Sequence, residues 1–430
     1  MPRQMKDSGV EWIGAVPNEW ELIPLKYLAS YNDESLGEST DSEYEFDYIE
    51  IGSVQYGQGI TGVEHMKFGN APSRARRIVR ANDIIISTVR TYLKAIATVP
   101  ESENQQIAST GFVVIRPRAV FPAFLNYAVL ANSFISMVEA HSTGISYPAI
   151  NATDVVRFKI PVPDIKEQEA IALFLNTKCG HIESVLEQTR ASIEEYKKMK
   201  QAVVTQAVTK GVRGERAMKD SEVEWLGNIP ADWNVYRIAN LYDERSESGL
   251  EELPILTVSI NTGVSDHEIA DEDKDRVFVR SEDRTKYKRV YPGDLAYNMM
   301  RAWQGAFGAV RVDGMVSPAY VVAKPKKNVE LDSRYMEALL RTSEATEEMH
   351  RYSRGIVDFR LRLYWPEFKN IRICLPSIAE QIEIADYIDE KSAAIDALIA
   401  KKEAFAAELD NYKKSMIYEY VTVKKEVPQS

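Results

Sequence analysis

Residues 5–20 read MKDSGVEWIGAVPNEW, and residues 218–233 read MKDSEVEWLGNIPADW. The offset between them is 213. A second match, PDIKEQEAIALFLNTK from Pro163 and PSIAEQIEIADYIDEK from Pro376, has the same offset. Two separate matches at one offset mean that a unit of about half the 430-residue chain is duplicated, which sets the architecture before any local motif is weighed. Between the anchors agreement thins but the order of features persists. NDIIISTVR (82–90) corresponds to GDLAYNMMR (293–301), and STGIS (142–146) to SRGIV (353–357). The halves are therefore expected to share a fold and to differ in surface.

The second anchor is also a helix start. Asp164 and Ser377 each follow a proline and stand three positions before Glu167 and Glu380, the spacing of a capping box that satisfies unpaired amides at a helix start. Apolar side chains then return at helical spacing: Ile171, Leu175, Cys179, Ile182, Leu186, Ile193, Tyr196 and Val203, interrupted by Thr189 and Lys200. The second half offers Ile384, Ile388, Ile395, Ile399, Leu409 and Met416. No proline breaks 164–210 or 377–427, and Gly211 is a plausible terminator for the first run. At 1.5 Å per residue each helix would be on the order of 60 to 70 Å long, too long for one domain to cover. With charged residues on the other faces, the natural partner of each stripe is the other stripe, in an antiparallel coiled coil with a pseudo-two-fold relation between the halves.

The rest of each half, about 20–162 and 233–375, holds short β-rich runs (DYIEIGSVQ, IIISTV, GFVVIRP, ILTVSI, YVVAKP) and short helical stretches near FLNYAVLANSFISMVEA and RYMEALLRTSEATEEM. These predict α+β globular domains. The expected division is a first globular domain over 1–162, a helical spacer over 163–211, a second globular domain over 212–375, and a second spacer with the C-terminal tail over 376–430. Trp12, Trp20, Trp225 and Trp233 are expected to pin each opening segment onto its domain, since large aromatics dominate packing.

Composition limits the function. With 45% hydrophobic and 27% charged residues the chain is ordinary globular protein. A net charge of −11 argues against non-specific polyanion binding by the whole surface, though not against a local basic patch. No run approaches the ~18 apolar residues of a membrane span, and MPRQMKDSGVEWIG lacks a signal peptide's apolar segment, so a cytoplasmic chain without membrane contact is expected. Cys179 and Cys374 stand far apart without CxxC spacing, which argues against a disulfide framework or a thiolate zinc site. Gly57, Gly59 and Gly62 spell GxGxxG, but no helical period follows, so a glycine-rich hairpin or loop is the better reading. The sequence shows no P-loop, HExxH or NPPY-like tetrapeptide, and a non-catalytic chain is expected, with no metal and no cofactor of its own.

Basic clusters recur in both halves despite the acidic total. Residues 74–90 hold Arg74, Arg76, Arg77, Arg80 and Arg90; residues 284–301 hold Arg284, Lys286, Lys288, Arg289 and Arg301. Guanidinium groups bond phosphates in pairs and read guanine edges in the major groove, so one cluster per globular domain suits duplex DNA; a solvated charged face is the plainer alternative. Beside the last arginine of each cluster stand Tyr92 and Lys94 in one half and Trp303 and Gln304 in the other. A third candidate surface is the turn with Ser142, Thr143, Ser146 and Tyr147, with Arg354, Arg360 and Arg362 as its counterparts.

The duplicated VEWIG/VEWLG plus P-x-x-W opening, the duplicated P-x-I-x-E-Q helix start, and QAVVTQAVTKGV at 201–212 together resemble the specificity subunits of Type I restriction-modification enzymes. The second half departs at its end, where SMIYEYVTVKKEV stands in place of that last pattern. The resemblance implies two target-recognition domains that read an asymmetric bipartite DNA target, and two conserved helical regions that bind methyltransferase subunits, expected to number two, and restriction subunits. It places S-adenosylmethionine in the methyltransferase partner and ATP with Mg2+ in the restriction partner. The helices would act as a ruler of roughly one DNA turn, ~34 Å, between half-site centres. The alternatives are the specificity subunit of a Type II-like or orphan methylation system and a non-catalytic coiled-coil scaffold.

Overall fold

The computed structural model describes residues 3–10, 13–268, 286–355 and 361–428. Trp12, Arg284 and Arg360 lie outside the described residues. The chain divides into two compact units, Met1–Arg190 with Ala404–Ser430, and Ala191–Glu403.

Within the first unit a β-rich stretch of the sequence becomes an antiparallel four-stranded sheet in the order Ile96–Thr98, Ile84–Ser87, Phe112–Pro117, Ala29–Tyr31. The strands Ile84–Ser87 and Phe112–Pro117 are nearly continuous runs of β-branched and aromatic residues because both of their faces are covered. One face looks onto Trp20 and the helices Pro122–Leu130 and Asn132–Ala140; the other, through Ile85 and Val114, looks onto Ile49, Val79 and Ala108. Those last three residues belong to a second sheet, ordered Glu64–Lys67, Glu45–Ile49, Gln106–Ser109, Ala75–Val79, whose middle pair is parallel. The glycine-rich segment forms a hairpin of Val54–Gln55 with Gly59–Ile60, in which Gly57 and Gly59 take φ of 77° and 80°. That is the left-handed region glycine enters without penalty, and no phosphate-binding turn forms there.

The second unit repeats the first sheet in the same order: Phe307–Ala309, Leu295–Asn298, Tyr320–Pro325, Tyr242–Glu244. Among the described residues its second layer contains Lys288–Val290 paired with Gly314–Val316, with a parallel bridge from Ile255 to Met315. Ribbons of Glu21–Pro24 with Lys159–Val162 and of Asn234–Arg237 with Arg372–Leu375 close the two units alike.

Helix α1 spans Ile165–Lys210 and helix α2 spans Ile378–Val421. In the first unit Phe174 lies against Tyr420, with ring centroids 4.5 Å apart, and Lys413 pairs with Glu183. In the second unit Lys200 pairs with Asp396 at 2.6 Å, and Ile193 packs with Ile395 and Ile399. In the first unit the partner number falls from Tyr420 to Lys413 as α1 runs from Phe174 to Glu183, so the pairing is antiparallel. Glu183–Lys413 and Asp396–Lys200 are the same ion pair seen once in each repeat. Lys200, which interrupts the apolar stripe, is one half of it, and Thr189 turns its hydroxyl back to the Val185 carbonyl at 2.7 Å. Gly211 ends α1 at φ 77°.

The helix starts depart from the expected capping box. The Glu167 amide does donate to Asp164 Oδ1 at 3.0 Å, and the Glu380 amide to Ser377 Oγ at 3.4 Å. The glutamate side chains, however, turn outward from the helix onto the opening segments. Glu167 accepts from Trp20 Nε1 at 3.0 Å and from Arg3 at 2.6 Å, while Glu380 accepts from Arg216 at 2.6 Å. The next residue latches the globular domain. Gln168 accepts the Phe121 amide at 2.8 Å and donates to the Pro163 carbonyl at 2.8 Å; Gln381 does the same with the Asp332 amide at 2.9 Å and the Pro376 carbonyl at 3.0 Å. Trp20 and Trp233 are wholly buried, whereas Trp225 is half-buried and donates to the Arg372 carbonyl at 3.2 Å.

One buried ion pair supports each main sheet. Asp83 binds Arg116 through two bonds of 2.9 and 2.7 Å, and Asp294 binds Arg245 through two of 2.8 and 3.0 Å. Burial pushes the Asp294 carboxyl up, against the pull of Arg245. Removing one partner of such a pair strands the other charge, so Asp294→Ala is expected to lower stability by about 3 to 5 kcal/mol, read as a fall in the urea midpoint at unchanged slope. A loss under about 1 kcal/mol would mean that the pair is replaceable by water.

Candidate nucleic-acid interface

The loop after the strand Ile84–Ser87 and the turn after the helix Asn132–Ala140 meet at one edge of the first unit. Thr88 donates to the Gly111 carbonyl and accepts at its own carbonyl from the Ile150 amide, at 2.8 and 2.9 Å, and Val89 bridges to Ala149. Thr91 Oγ1 donates to Ser142 Oγ at 2.9 Å, and Ser142 Oγ donates in turn to the Val138 carbonyl at 2.6 Å. Thr143 and Ala149 exchange both backbone hydrogen bonds at 2.9 Å, so the turn is the tip of a short ribbon. Arg90, Tyr92 and Lys94 are thus brought beside Ser142, Thr143, Ser146 and Tyr147. The Arg90 guanidinium lies over the Tyr147 ring, 5.1 Å from its centroid, and Lys94 pairs with Glu139 at 3.5 Å.

Arg90 and Lys94 flank a single helical turn, Thr91–Leu93, at φ of 52° and 51°. Left-handed backbone at two residues that carry a Cβ is costly, and such strain collects at working sites where the surroundings enforce it. Gly144, at φ 109°, makes the opposing turn possible: a Cβ there would come 3.1 Å from the Tyr147 carbonyl oxygen.

The second unit builds the same pairing from other side chains. Arg301, Trp303 and Gln304 occupy the corresponding loop, and Arg354 exchanges backbone bonds of 2.9 Å with Arg362 where the first unit has Thr143 and Ala149. The Leu363 amide ties this ribbon to the Met299 carbonyl at 2.8 Å. Trp303 is half-buried against His350, with centroids 5.2 Å apart, so it is partly a packing residue. Arg354 pairs with Glu367 at 2.6 Å, and Arg301 and Arg362 are exposed.

The remaining candidates sit on the second layer. Arg74 is exposed and bonds Tyr48 Oη at 3.1 Å and Glu50 at 3.2 Å; the Tyr48 bond is the main cause that raises its pKa. Its carbonyl accepts the Thr110 amide at 2.8 Å, one residue from Gly111, so it continues the edge formed by the first loop. Arg76 lies on the Phe68 ring at 4.7 Å, and Arg77 is partly buried, which lowers its pKa. In the second unit Lys288 donates to the Tyr320 carbonyl at 2.8 Å, Arg289 lies over Tyr291 at 4.7 Å, and Lys286 is exposed at the strand's approach. The recurrence of basic residues therefore has two sources, strand residues that fold against local rings and loop residues that face solvent.

Sequence reading passed over Ile145 and Leu93, which are 103% and 40% exposed on this pair of loops. The signal was an isoleucine set between glycine and serine in a polar turn, where no apolar period claims it. Among the described residues no cluster of three or more His, Cys, Asp or Glu could hold a metal ion, and no single helix is long and apolar enough to cross a membrane. Both cysteines are buried, free thiols.

Residues 17–195 match the family model of the type I restriction modification DNA specificity domain. Across 432 aligned residues the chain is 24% identical to the type I restriction enzyme MjaVIII specificity subunit of Methanocaldococcus jannaschii, covering 95% of this chain and 93% of that one. Over most of its length the chain is thus similar to specificity subunits of type I restriction enzymes. It is also 22% identical to the EcoBI specificity subunit of Escherichia coli over 66% of this chain and 62% of that one. A chain from a structure concerned with complex assembly and conformational transition of the type I R-M system shares the fold, with a TM-score of 0.70 at 20% identity, over 94% of this chain and 98% of that one. Besides the backbone ties of Thr88 and Val89, the loop and turn are joined by the side-chain relay Thr91–Ser142–Val138. Ser142→Ala should cost about 1 kcal/mol, the net worth of a typical hydrogen bond, and speed amide exchange in 88–94 and 141–149 ahead of the sheet. Exchange that speeds up uniformly across the unit would show that the relay supports the whole unit and not this edge.

Proposed function

We propose that this chain is the DNA sequence-specificity component of a type I restriction-modification system, and that its two units read the two different halves of an asymmetric bipartite target. The observation that carries the reading is the same loop-and-turn pair raised on two homologous frames with different side chains: Arg90, Tyr92, Lys94 and a hydroxyl-bearing turn in one, Arg301, Trp303, Gln304 and an arginine-bearing turn in the other. A frame preserved while its exposed loops diverge is what separate recognition of different base sequences requires. Arginine supplies paired donors for guanine edges, and the hydroxyls of Thr143 and Ser146 donate or accept with either partner of a base pair. Lysine and outlying arginines such as Arg74 suit phosphates, which position the duplex without reading it.

In this reading the chain selects the site and others do the chemistry. A methyltransferase partner carries S-adenosylmethionine and extrudes its target base from the duplex, while a restriction partner uses ATP and Mg2+. The sequence-diverse loops belong to the DNA, and the duplicated helices are left for the partner subunits.

Mapping methylated bases in cells with and without the gene tests the assignment: one asymmetric, interrupted motif should appear only with the gene. The purified chain should not methylate DNA, and methylation that follows this chain alone through purification would refute the reading. Within the site, Arg90→Ala should cost about 1 to 3 kcal/mol of specific binding and relax base preference in one half-site only, and Arg301→Ala should do so in the other. An arginine on phosphate would instead weaken binding to all sequences alike and lessen its salt dependence.

A further inference from the structure

Ile145 stands out among the described residues as a large apolar side chain that folding leaves entirely in water, at 103% relative exposure. A single exposed aliphatic residue is common on protein surfaces. This one has company: Tyr147 is 67% exposed, Tyr92 52% and Leu93 40%, all on the same loop and turn. It is also stiffly presented. The ribbon closed by Thr143 and Ala149 lifts it, the Val89–Ala149 bridge anchors the ribbon's base, and the left-handed Gly144 sets the turn beside it. Around it are the exposed Thr143 and Ser146 and the Arg90 guanidinium stacked on Tyr147.

An apolar point ringed by hydrogen-bonding groups and a guanidinium suits the floor of the DNA major groove, whose one apolar feature is the thymine 5-methyl group. The ribbon's width selects that groove. Its two strands lie about 4.8 Å apart before side chains are added, which the major groove of about 12 Å admits and the minor groove of about 6 Å does not. We propose that Ile145 reads the 5-methyl group of a thymine in the half-site recognised by the first unit. This deepens the DNA-reading assignment above and rests on it. Burying one methyl group is worth about 0.8 kcal/mol, or about fourfold in affinity.

The test uses the full chain and duplexes carrying its mapped target, with each thymine of both half-sites replaced in turn by deoxyuridine, which removes the methyl group and leaves every hydrogen bond. One replacement, in one half-site, should weaken binding by the native chain about fourfold. The same replacement should leave Ile145→Ala unaffected, and Ile145→Val should keep part of the discrimination. Because the side chain is outside the core, neither variant should shift the thermal midpoint. The inference is overturned if no replacement matters, if native chain and Ile145→Ala respond alike, or if the target half-sites contain no thymine. It is also overturned if 2-aminopurine placed in the site brightens with the native chain but not with Ile145→Ala, since that would make the residue a wedge between bases. In each of those cases the native chain still prefers its target over random duplex. Loss of that preference itself would overturn the DNA-reading assignment, and this inference with it.

Discussion

The glutamate–glutamine pair at the head of each long helix is the contact on which the arrangement within each unit depends. A helix some 44 to 46 residues long has no fixed relation to a globular domain unless its first turn is tied to it. Here Glu167 and Glu380 take the opening segment, through Arg3 and Trp20 in one unit and Arg216 in the other. Gln168 and Gln381 take the loop in front of the following domain helix and the proline carbonyl behind them. Both glutamines are almost fully buried, at 3% and 1% exposure. A buried amide left unpaired costs about 1 to 3 kcal/mol, so each bond also excludes other placements of the helix. The dipeptide survives in both halves because each of its residues has a different partner to hold.

The main sheets preserve a charge pair while exchanging its parts. Asp83 and Asp294 stand at corresponding places, before the strands Ile84–Ser87 and Leu295–Asn298. Their arginines do not correspond: Arg116 belongs to the strand Phe112–Pro117, whereas Arg245 follows Tyr242–Glu244. In each sheet the strand in one of these places neighbours the strand in the other, Phe112–Pro117 beside Ala29–Tyr31 and Tyr320–Pro325 beside Tyr242–Glu244, so either place can deliver a guanidinium to the carboxylate. Glu34 and Glu247, also at corresponding places, then bind whichever arginine arrives, at 2.9 and 2.5 Å. Geometry fixes the site of the buried carboxylate, and selection fixes only that a guanidinium reaches it.

Much of this was legible in the sequence for physical reasons. The repeat, the apolar stripes and the proline-free runs gave two long helices, and the runs IIISTV, GFVVIRP and YVVAKP gave central strands of the main sheets, while short strands such as Ala29–Tyr31 and Tyr242–Glu244 carried no such run. The alignment of Arg90 with Arg301 and of the two turns marked the surfaces that the fold brings together. What the sequence hid were contacts that depend on direction. Glu167 has the spacing of a capping box, yet its side chain leaves the helix for Trp20 and Arg3; Glu380 likewise goes to Arg216 although the Trp233 Nε1 has no hydrogen-bond partner, so the arginine is the contact common to both halves. Arg76 and Arg289 count as basic cluster members, yet both lie on rings of their own sheet. Ile145 carries no period and no charge, so pattern reading gave it no weight.

Backbone strain distinguishes the loop-and-turn edges of the two units. In the first unit Arg90 and Lys94 both hold left-handed backbone, at a cost of roughly 1 to 2 kcal/mol each. In the second unit Arg301 has an ordinary φ of −136°, and Gly305, at φ 89°, stands where Lys94 stands in the first. The glycine relieves the strain but gives up a side chain at that edge, and the second unit carries its arginines on the ribbon instead, as Arg354 and Arg362. A strained lysine is tolerated in the first unit because the Thr91–Ser142 bond and the ion pair to Glu139 hold its loop from two sides. The two edges thus offer cations from different backbone elements, the loop alone in the first unit and both loop and ribbon in the second. What differs between the units is where each can hold its charged side chains, not the frame that carries them.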